Sequence, residues 1–264
     1  FSDVDSSADP QLFVRCLEEQ YAKNSLLRLN KVRTLELADI QSGHWVLDAG
    51  CGTGKDTIQM AALVGTGHVF GIDFSREMIV TAKTAAATLD LPITFQHGNI
   101  YQLEFADNFF DRCRADKTFQ HLADPQAAVT ELIRVTKPGG KIIIAEPDHD
   151  SLIIDTPFID INHRFMRFRS DQMTQGSIAH QLYNIFKELG LENVGIEPLT
   201  RAYTSYEEKR VSSPYLKEIW MAQEAGAVTK EEAESWAAYL REAIESDRFM
   251  CLQTYVITTG FKPV

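Results

Sequence analysis

Short apolar runs and amphipathic stretches alternate along this chain, and their order predicts its architecture. Asp9 followed by Pro10 reads as the N-cap and first residue of a helix running to about Gln20. Leu26, Leu29, Leu37 and their neighbours fall at helical spacing and predict a second helix from near Asn24 to Ala38. Apolar runs at 44–48, 68–72, 93–97, 109–115 and 141–146 then predict strands, separated by helical patterns at 56–64, 75–89 and 125–136. That alternation demands a parallel sheet joined by right-handed crossovers. Beyond it the pattern predicts a helix over about 174–189 ended by Gly190, strands at 192–198 and Cys251 to Phe261, and helices at 214–225 and 229–246. Thr229 and Glu232 are spaced as a capping box for the last of these. About fifty residues thus separate the last two strands, and an insertion that long tends to be functional.

The junction after the first strand carries the clearest chemistry. Residues 46 to 54 read Val-Leu-Asp-Ala-Gly-Cys-Gly-Thr-Gly, an apolar strand running into glycines at 50, 52 and 54. Glycine accepts positive φ and has no Cβ, so such a turn can lie directly against a ligand. At the end of the next strand Asp73 can take both hydroxyls of a ribose. A nucleoside pocket follows from these residues. Dinucleotide folds use G-x-G-x-x-G to hold a pyrophosphate; here the third glycine comes one residue early.

The run Val46 to Gly54 resembles the first motif of class I S-adenosylmethionine-dependent methyltransferases, and the resemblance continues downstream. Gly98-Asn99-Ile100 is similar to the loop that reads the adenine, Phe110-Asp111-Arg112-Cys113 to the start of the fourth strand, and Thr136 to Lys141 to the turn before the fifth. Gln120-His121-Leu122-Ala123-Asp124-Pro125 resembles the His-x-x-Asp-Pro turn of the ubiquinone/menaquinone-type and related small-molecule methyltransferases. The match covers about residues 44 to 147. It implies an α/β fold: a Rossmann-like three-layer αβα sandwich with a mainly parallel seven-stranded sheet and helical cap insertions. The implied layout is an N-terminal helical cap at 1–40, an S-adenosylmethionine-binding core at 41–150, and the rest of the sheet at 151–264 with cap insertions at about 151–172 and 204–248.

The resemblance also implies a cofactor site. Asp48, with Ala49 beside it, stands where relatives hold the methionine amine, or else only orders the glycine turn. Gly50, Gly52 and Gly54 form the cradle, and Asp73 takes the ribose. Phe74 and Met78 flank the adenine, although Met78 also suits the core. Gly98, Asn99 and Ile100 read the adenine edge, with the Asn99 amide oxygen replacing the more usual carboxylate as acceptor. S-adenosyl-L-methionine is then the cofactor and S-adenosyl-L-homocysteine the product.

Composition narrows the acceptor. Net charge is -11, which gives a nucleic-acid surface no electrostatic support. Four widely separated cysteines include no C-x-x-C pair, so neither a metal site nor a disulfide framework is expected. No apolar run approaches about 18 residues and no signal peptide is visible, so the expectation is a cytoplasmic protein without membrane insertion. A small-molecule substrate is the remaining partner.

Where the chain departs from its relatives, the acceptor chemistry should lie. Arg112 and Arg114 occupy strand positions that are usually uncharged, and by alternation they share a face. Burying two arginines is costly unless they are paired. Arg112 reads as structural, paired near Asp111 or reaching for water, whereas Arg114, nearer the cleft, is placed against the cofactor carboxylate or an anionic substrate group, and Asp116, at the cleft, against the cofactor. His121 is a candidate base or cofactor contact, with Glu146 and His149 as further catalytic candidates; the plain alternative for His121 is a loop histidine that orders its turn. On the segment 158–169, Phe158, Ile161, Phe165 and Phe168 share a helical face. That face packs a cap helix on the core; or, with Arg164, Arg167 and Arg169 as a fork and together with Tyr21, it borders a pocket for a planar or apolar molecule with an acidic group; or it meets a membrane surface, against which the negative charge argues. The implied function is methyl transfer to N, O or C of a small, partly apolar or aromatic metabolite with an acidic group, in biosynthetic or specialised metabolism. A fold relative that binds the nucleoside for cyclisation, or as a partner subunit, stays as the alternative, with a nicotinamide oxidoreductase more remote.

Overall fold

The computed structural model describes residues 4–7 and 9–264, apart from the side chains of residues 6, 10 and 13. Two helices lead, α1 (Pro10–Lys23) and α2 (Ser25–Ala38). Asp9 caps α1 by accepting from the Leu12 N–H, and Asn24 caps α2 by accepting from Leu27. There follow β1 (Trp45–Ala49), α3 (Lys55–Ala61), β2 (His68–Asp73), α4 (Arg76–Ala86), β3 (Ile93–His97), β4 (Phe110–Asp116), α5 (Pro125–Val135) and β5 (Thr136–Ile154). The remainder comprises α6 (Ile159–Asp171), α7 (Ile178–Glu188), β6 (Glu192–Tyr203), α8 (Tyr206–Arg210), α9 (Tyr215–Glu224), α10 (Lys230–Glu245) and β7 (Cys251–Phe261). The capping box at Thr229 and Glu232 is formed. No helix among the described residues is long and apolar enough to cross a membrane.

The seven strands lie in the order β3-β2-β1-β4-β5-β7-β6. β7 runs antiparallel to both its neighbours, and the other pairs are parallel. Strands buried on both faces need continuous apolar runs, and Val46-Leu47 and Ile142-Ile143-Ile144 are fully buried. On one face Leu47, Cys113 and Ile144 pack with Val129 and Leu132 of α5 and Leu182 and Phe186 of α7. On the other, Ile143 and Ile257 meet Ala38 of α2, and Val46 and Val69 meet Met60 of α3. A separate apolar core joins α6, α9 and α10 to the ends of β5 and β7, around Trp236, Tyr215 and Phe165.

The structure lengthens two of the expected strands. β5 runs on to Ile154, paired with Cys251, and β6 to Tyr203. Asp148, His149 and Asp150 interrupt the two-residue alternation in sequence, but a register shift between Asp148 and Ile153 absorbs them. β5, β6 and β7 therefore run past the ends of the parallel strands as a three-stranded antiparallel extension of the sheet, from which the inserted helices lead off. The five-residue α8 is too short to show a helical period.

Candidate functional site

Beyond the carboxyl ends of β1, β2 and β4 lies a cavity of about 480 Å³, lined also by Val4, Leu17, Tyr21 and Leu27. Open α/β sheets place ligands there. Its floor is the glycine turn. Gly50, Gly52 and Gly54 all have positive φ, at 80°, 53° and 79°. A Cβ on Gly50 would fall 2.1 Å from the Thr118 hydroxyl, whereas one on Gly52 would meet nothing within 4 Å. Gly54 is the exception to the expected set, since it does not line the cavity. It opens α3 at the distance where a Cβ would strike Phe95, at 2.6 Å, so its glycine serves helix-to-sheet packing.

Every other expected cofactor residue does line the cavity: Asp48, Ala49, Gly50, Gly52, Asp73, Phe74, Met78, Gly98, Asn99, Ile100, Arg114, Asp116 and His121. Asp73 braces the turn from β2. One carboxylate oxygen accepts from the Gly52 N–H at 2.8 Å and the other from Ser75 at 2.9 Å. Each oxygen has a second lone pair, which leaves a bidentate acceptor for vicinal hydroxyls. Asn99 is engaged differently, since its side-chain oxygen already accepts from the Tyr101 N–H at 3.0 Å in an Asx turn. Phe74 projects at the rim, 62% exposed.

Beneath the turn lies a buried charge cluster that the sequence only half discloses. Arg114 donates to Asp48 at 3.1 Å, Asp56 at 2.8 Å and Asp116 at 3.0 Å, and to the Thr34 hydroxyl of α2 at 3.1 Å. Lys31 of α2 also bonds Asp56, and Asp116 at 3.2 Å. Asp48 is completed by the Thr57 hydroxyl at 2.7 Å. Burial raises the Asp48 carboxyl above its ordinary value, whereas Arg114 and Lys31 together hold Asp56 below it despite burial. Arg112, on the same face of β4, donates to the Ala38 and Asp39 carbonyls and so closes the end of α2. It does not pair with the Asp111 carboxylate, which Lys137 holds at 2.8 Å. Lys31, Asp56 and Lys117 were not legible as site residues: a lysine on a helix and an acid in a first turn ordinarily read as solvated.

The three catalytic candidates separate. His121 lines the cavity, and burial takes its imidazole down to about 4. Glu146 does not reach the cavity. Fully buried at the end of the central part of β5, it accepts from the N–H groups of Thr118 at 2.7 Å, Phe119 at 2.6 Å and Gln120 at 3.4 Å, and burial pushes it up to about 8. It anchors the loop after β4. His149 pairs with the Gln120 side-chain oxygen at 2.8 Å behind that loop, and burial lowers it to about 4.

The expected substrate residues separate as well. Tyr21 lines the cavity and takes the Lys55 ammonium over its ring at 4.9 Å. The α6 residues do not. Phe165 is buried edge-on against Trp236 at 5.0 Å, Phe168 packs on the same core, and Arg167 pairs with Asp171 at 3.0 Å. Arg164 and Arg169 are bound to Glu232 and Glu218. The apolar face of α6 is spent on the core it shares with α9 and α10, its arginines are paired, and no described residue of 151–172 or 204–248 lines the cavity that these segments were expected to cap. Outside the cavity, Asp148, Asp150 and His180 bring their polar atoms within 4.8 Å of one another, with Ser177 donating to Asp150.

Comparison with known proteins agrees with this geometry. The family model described as "Methyltransferase domain" matches residues 40–195. An uncharacterized 37.1 kDa protein in transposon TN4556 of Streptomyces fradiae is 34% identical over 187 residues, covering 70% of this chain and 54% of that protein. The ubiquinone/menaquinone biosynthesis C-methyltransferase UbiE of Bdellovibrio bacteriovorus is 39% identical over 114 residues, 43% of this chain and 48% of that one. The chain thus spans about half the length of these curated relatives. Among solved structures, the YcgJ protein from Bacillus subtilis superposes with a TM-score of 0.65 at 20% identity, covering 90% of this chain and 99% of its own. The chain belongs to the methyltransferase-domain family, and its motifs and fold are similar to those of the class I S-adenosylmethionine-dependent methyltransferases. The cofactor of that class fits the residues present: a glycine turn open at Gly52, a bidentate acceptor at Asp73, and an apolar lining of Ile72, Met78, Ile100 and Leu122.

Proposed function

We propose that this protein transfers a methyl group from S-adenosylmethionine to a nucleophilic atom of a small, partly apolar metabolite. The observation that carries the reading is the continuity of one cavity. It runs from the Asp73 acceptor and the glycine turn, past Asp116 and His121, to the apolar wall of Leu17, Tyr21 and Leu27. The cofactor supplies an electrophilic methyl on a sulfonium; everything else asked of the chain is alignment, which can account for much of the rate of an in-line displacement. Asp73 would hold the ribose hydroxyls, Phe74 and Met78 the base. Asp48 would order the turn and face the methionine amine. Tyr21 and Leu27 would press the acceptor against the reacting end. His121, neutral above pH 5, can take a proton from the acceptor where one must leave.

The name of the Bdellovibrio relative favours carbon as the methylated atom. The relevant experiment is incubation with methyl-labelled S-adenosylmethionine in metabolite extracts, followed by mass spectrometry of labelled products. One or more labelled small molecules are expected. Tight S-adenosylhomocysteine binding without any labelled product would move the protein to the class that uses the nucleoside without transferring its methyl.

A further inference from the structure

Among the described residues, four cationic side chains line the cavity, Lys31, Lys55, Arg114 and Lys117. Three have carboxylates at hand. Arg114 meets three, Lys31 meets two, and Lys55 stands 3.7 Å from Glu18. Among the described residues Lys117 has no carboxylate within 4.0 Å, and its ammonium donates to the Gln20 side-chain oxygen of α1 at 3.2 Å. An ammonium carries three donors, so a neutral amide leaves it short of partners.

Its backbone is also unusual. Lys117 has φ 57, the left-handed region that costs a side chain with a Cβ about 1–2 kcal/mol. The position is fixed on both sides: its N–H donates to the Ala145 carbonyl at 2.9 Å, and Glu146 gathers the next three N–H groups. Strain of this kind persists where the surroundings over-determine it, and it clusters at ligand sites. The charged groups around the amine are Asp116 and Glu146, which favour its charge, and Lys31, which opposes it; burial outweighs them and holds it below the ordinary lysine value. The charge is under-compensated.

We infer that Lys117 is a specificity-determining residue for the methyl acceptor, selecting molecules whose carboxylate or phosphate replaces the Gln20 oxygen at its ammonium. This rests on the methyl-transfer reading and adds to it the class of acceptor. The anion sits beside the end of β4, between the cofactor residues and the apolar wall. An uncharged analogue of the same shape would leave Lys117 facing only the amide.

Calorimetry tests it in two stages. S-adenosylhomocysteine is titrated first into wild type, Lys117→Met and Lys117→Arg; failure of wild type to bind would overturn the cofactor reading itself. The loaded proteins then receive benzoate, 4-hydroxybenzoate, indole-3-acetate and phenyl phosphate, each beside its uncharged amide or ester. Wild type should bind at least one acid tenfold or more tightly than its neutral partner. Lys117→Met should abolish that ratio without changing S-adenosylhomocysteine affinity, and Lys117→Arg should restore most of it. No acid preference in any pair, or an unchanged ratio in Lys117→Met, overturns the inference. So does a tenfold loss of S-adenosylhomocysteine affinity in Lys117→Met with the ratio intact, which would assign the amine to the cofactor's own carboxylate. Thermal unfolding of each variant confirms that the folded protein is being compared.

Discussion

Arg114 and Asp56 form an ion pair at 2.8 Å with both side chains almost wholly buried, and the same guanidinium holds Asp48 and Asp116. An arginine under three carboxylates ties α2, α3, β1 and β4 into one block beneath the glycine turn. Removing one partner of a buried pair strands the other charge, at a cost of about 3–5 kcal/mol. Arg114→Met should therefore lose about that much in urea denaturation at pH 7. Asp56 is held below its ordinary value, so the stabilisation it draws from Arg114 is present above about pH 4 and is lost on acidification. The gap between wild type and variant should narrow below pH 4. A loss under about 1 kcal/mol at pH 7 would show that the cluster tolerates the vacancy.

Gly50 and Gly52 should respond differently to one methyl group. At Gly50 a Cβ would overlap Thr118 at 2.1 Å and 2.8 Å, and the loop after β4 must move to admit it. Gly50→Ala should destabilise the fold by about 1–3 kcal/mol for this overlap, on top of about 1–2 kcal/mol for its own left-handed backbone at φ 80°. At Gly52 the space is open, so Gly52→Ala should cost only the left-handed backbone, about 1–2 kcal/mol. Its methyl would stand where the ligand backbone passes. Calorimetry with S-adenosylhomocysteine should show at least a tenfold loss for Gly52→Ala, and wild-type affinity there would remove the cofactor from the turn.

The sheet and most of its helices were legible because each strand of the core is an apolar run ended by glycine or a turn. That Gly50, Gly52, Asp73 and His121 would meet at one cavity was legible because each lies at or just past a strand end. What sequence hid was the joining of distant segments. Nothing in residues 24–38 marks Lys31 as a partner of Asp56 and Asp116, and Lys117 reads as an ordinary solvated loop lysine. The α6 face misled for a related reason: Phe165 and Phe168 show a buried helix side, but only the fold shows that Trp236 and its neighbours already occupy it.

Asp73 has one lone pair per oxygen left after bracing Gly52 and Ser75. Hydrogen bonds to a charged group contribute about 1.5–3 kcal/mol. Asp73→Ala should thus weaken S-adenosylhomocysteine binding by roughly tenfold to a hundredfold. Unchanged affinity in calorimetry would take the ribose away from this residue.

His121, lowered to about 4 by burial, is neutral across pH 6 to 9. A neutral imidazole can accept a proton throughout that range, but a base of such low affinity gives little driving force. His121→Ala should lower kcat by about a hundredfold, near the low end for general-base catalysis. The ratio of wild-type to variant kcat should stay flat from pH 6 to 9. Equal rates would leave His121 as a residue that only orders its turn, and a ratio with an inflection near pH 7 would show a different protonation state.

Lys209 of α8 makes the stability of the fold depend on pH in the alkaline range. Its amine is fully buried, donating to the Gln253 side-chain oxygen at 2.7 Å and the Ser213 hydroxyl at 3.1 Å, between the rings of Tyr203 and Tyr215. Glu218 and Cys251 favour its charge, Arg169 and Lys117 oppose it, and burial dominates and lowers it to about 7. An unfolded lysine keeps its proton to about pH 10.5, whereas the folded one releases it above about 7. Between those values the unfolded state binds the extra proton, so this group makes the folded protein more stable as pH rises, by up to about 1.4 kcal/mol per pH unit. Lys209→Met removes the titration and keeps the stem. The difference in unfolding free energy, wild type minus variant, should climb from pH 7 to 10 in urea melts. A difference that stays level over that range would mean that the amine keeps its proton inside the fold.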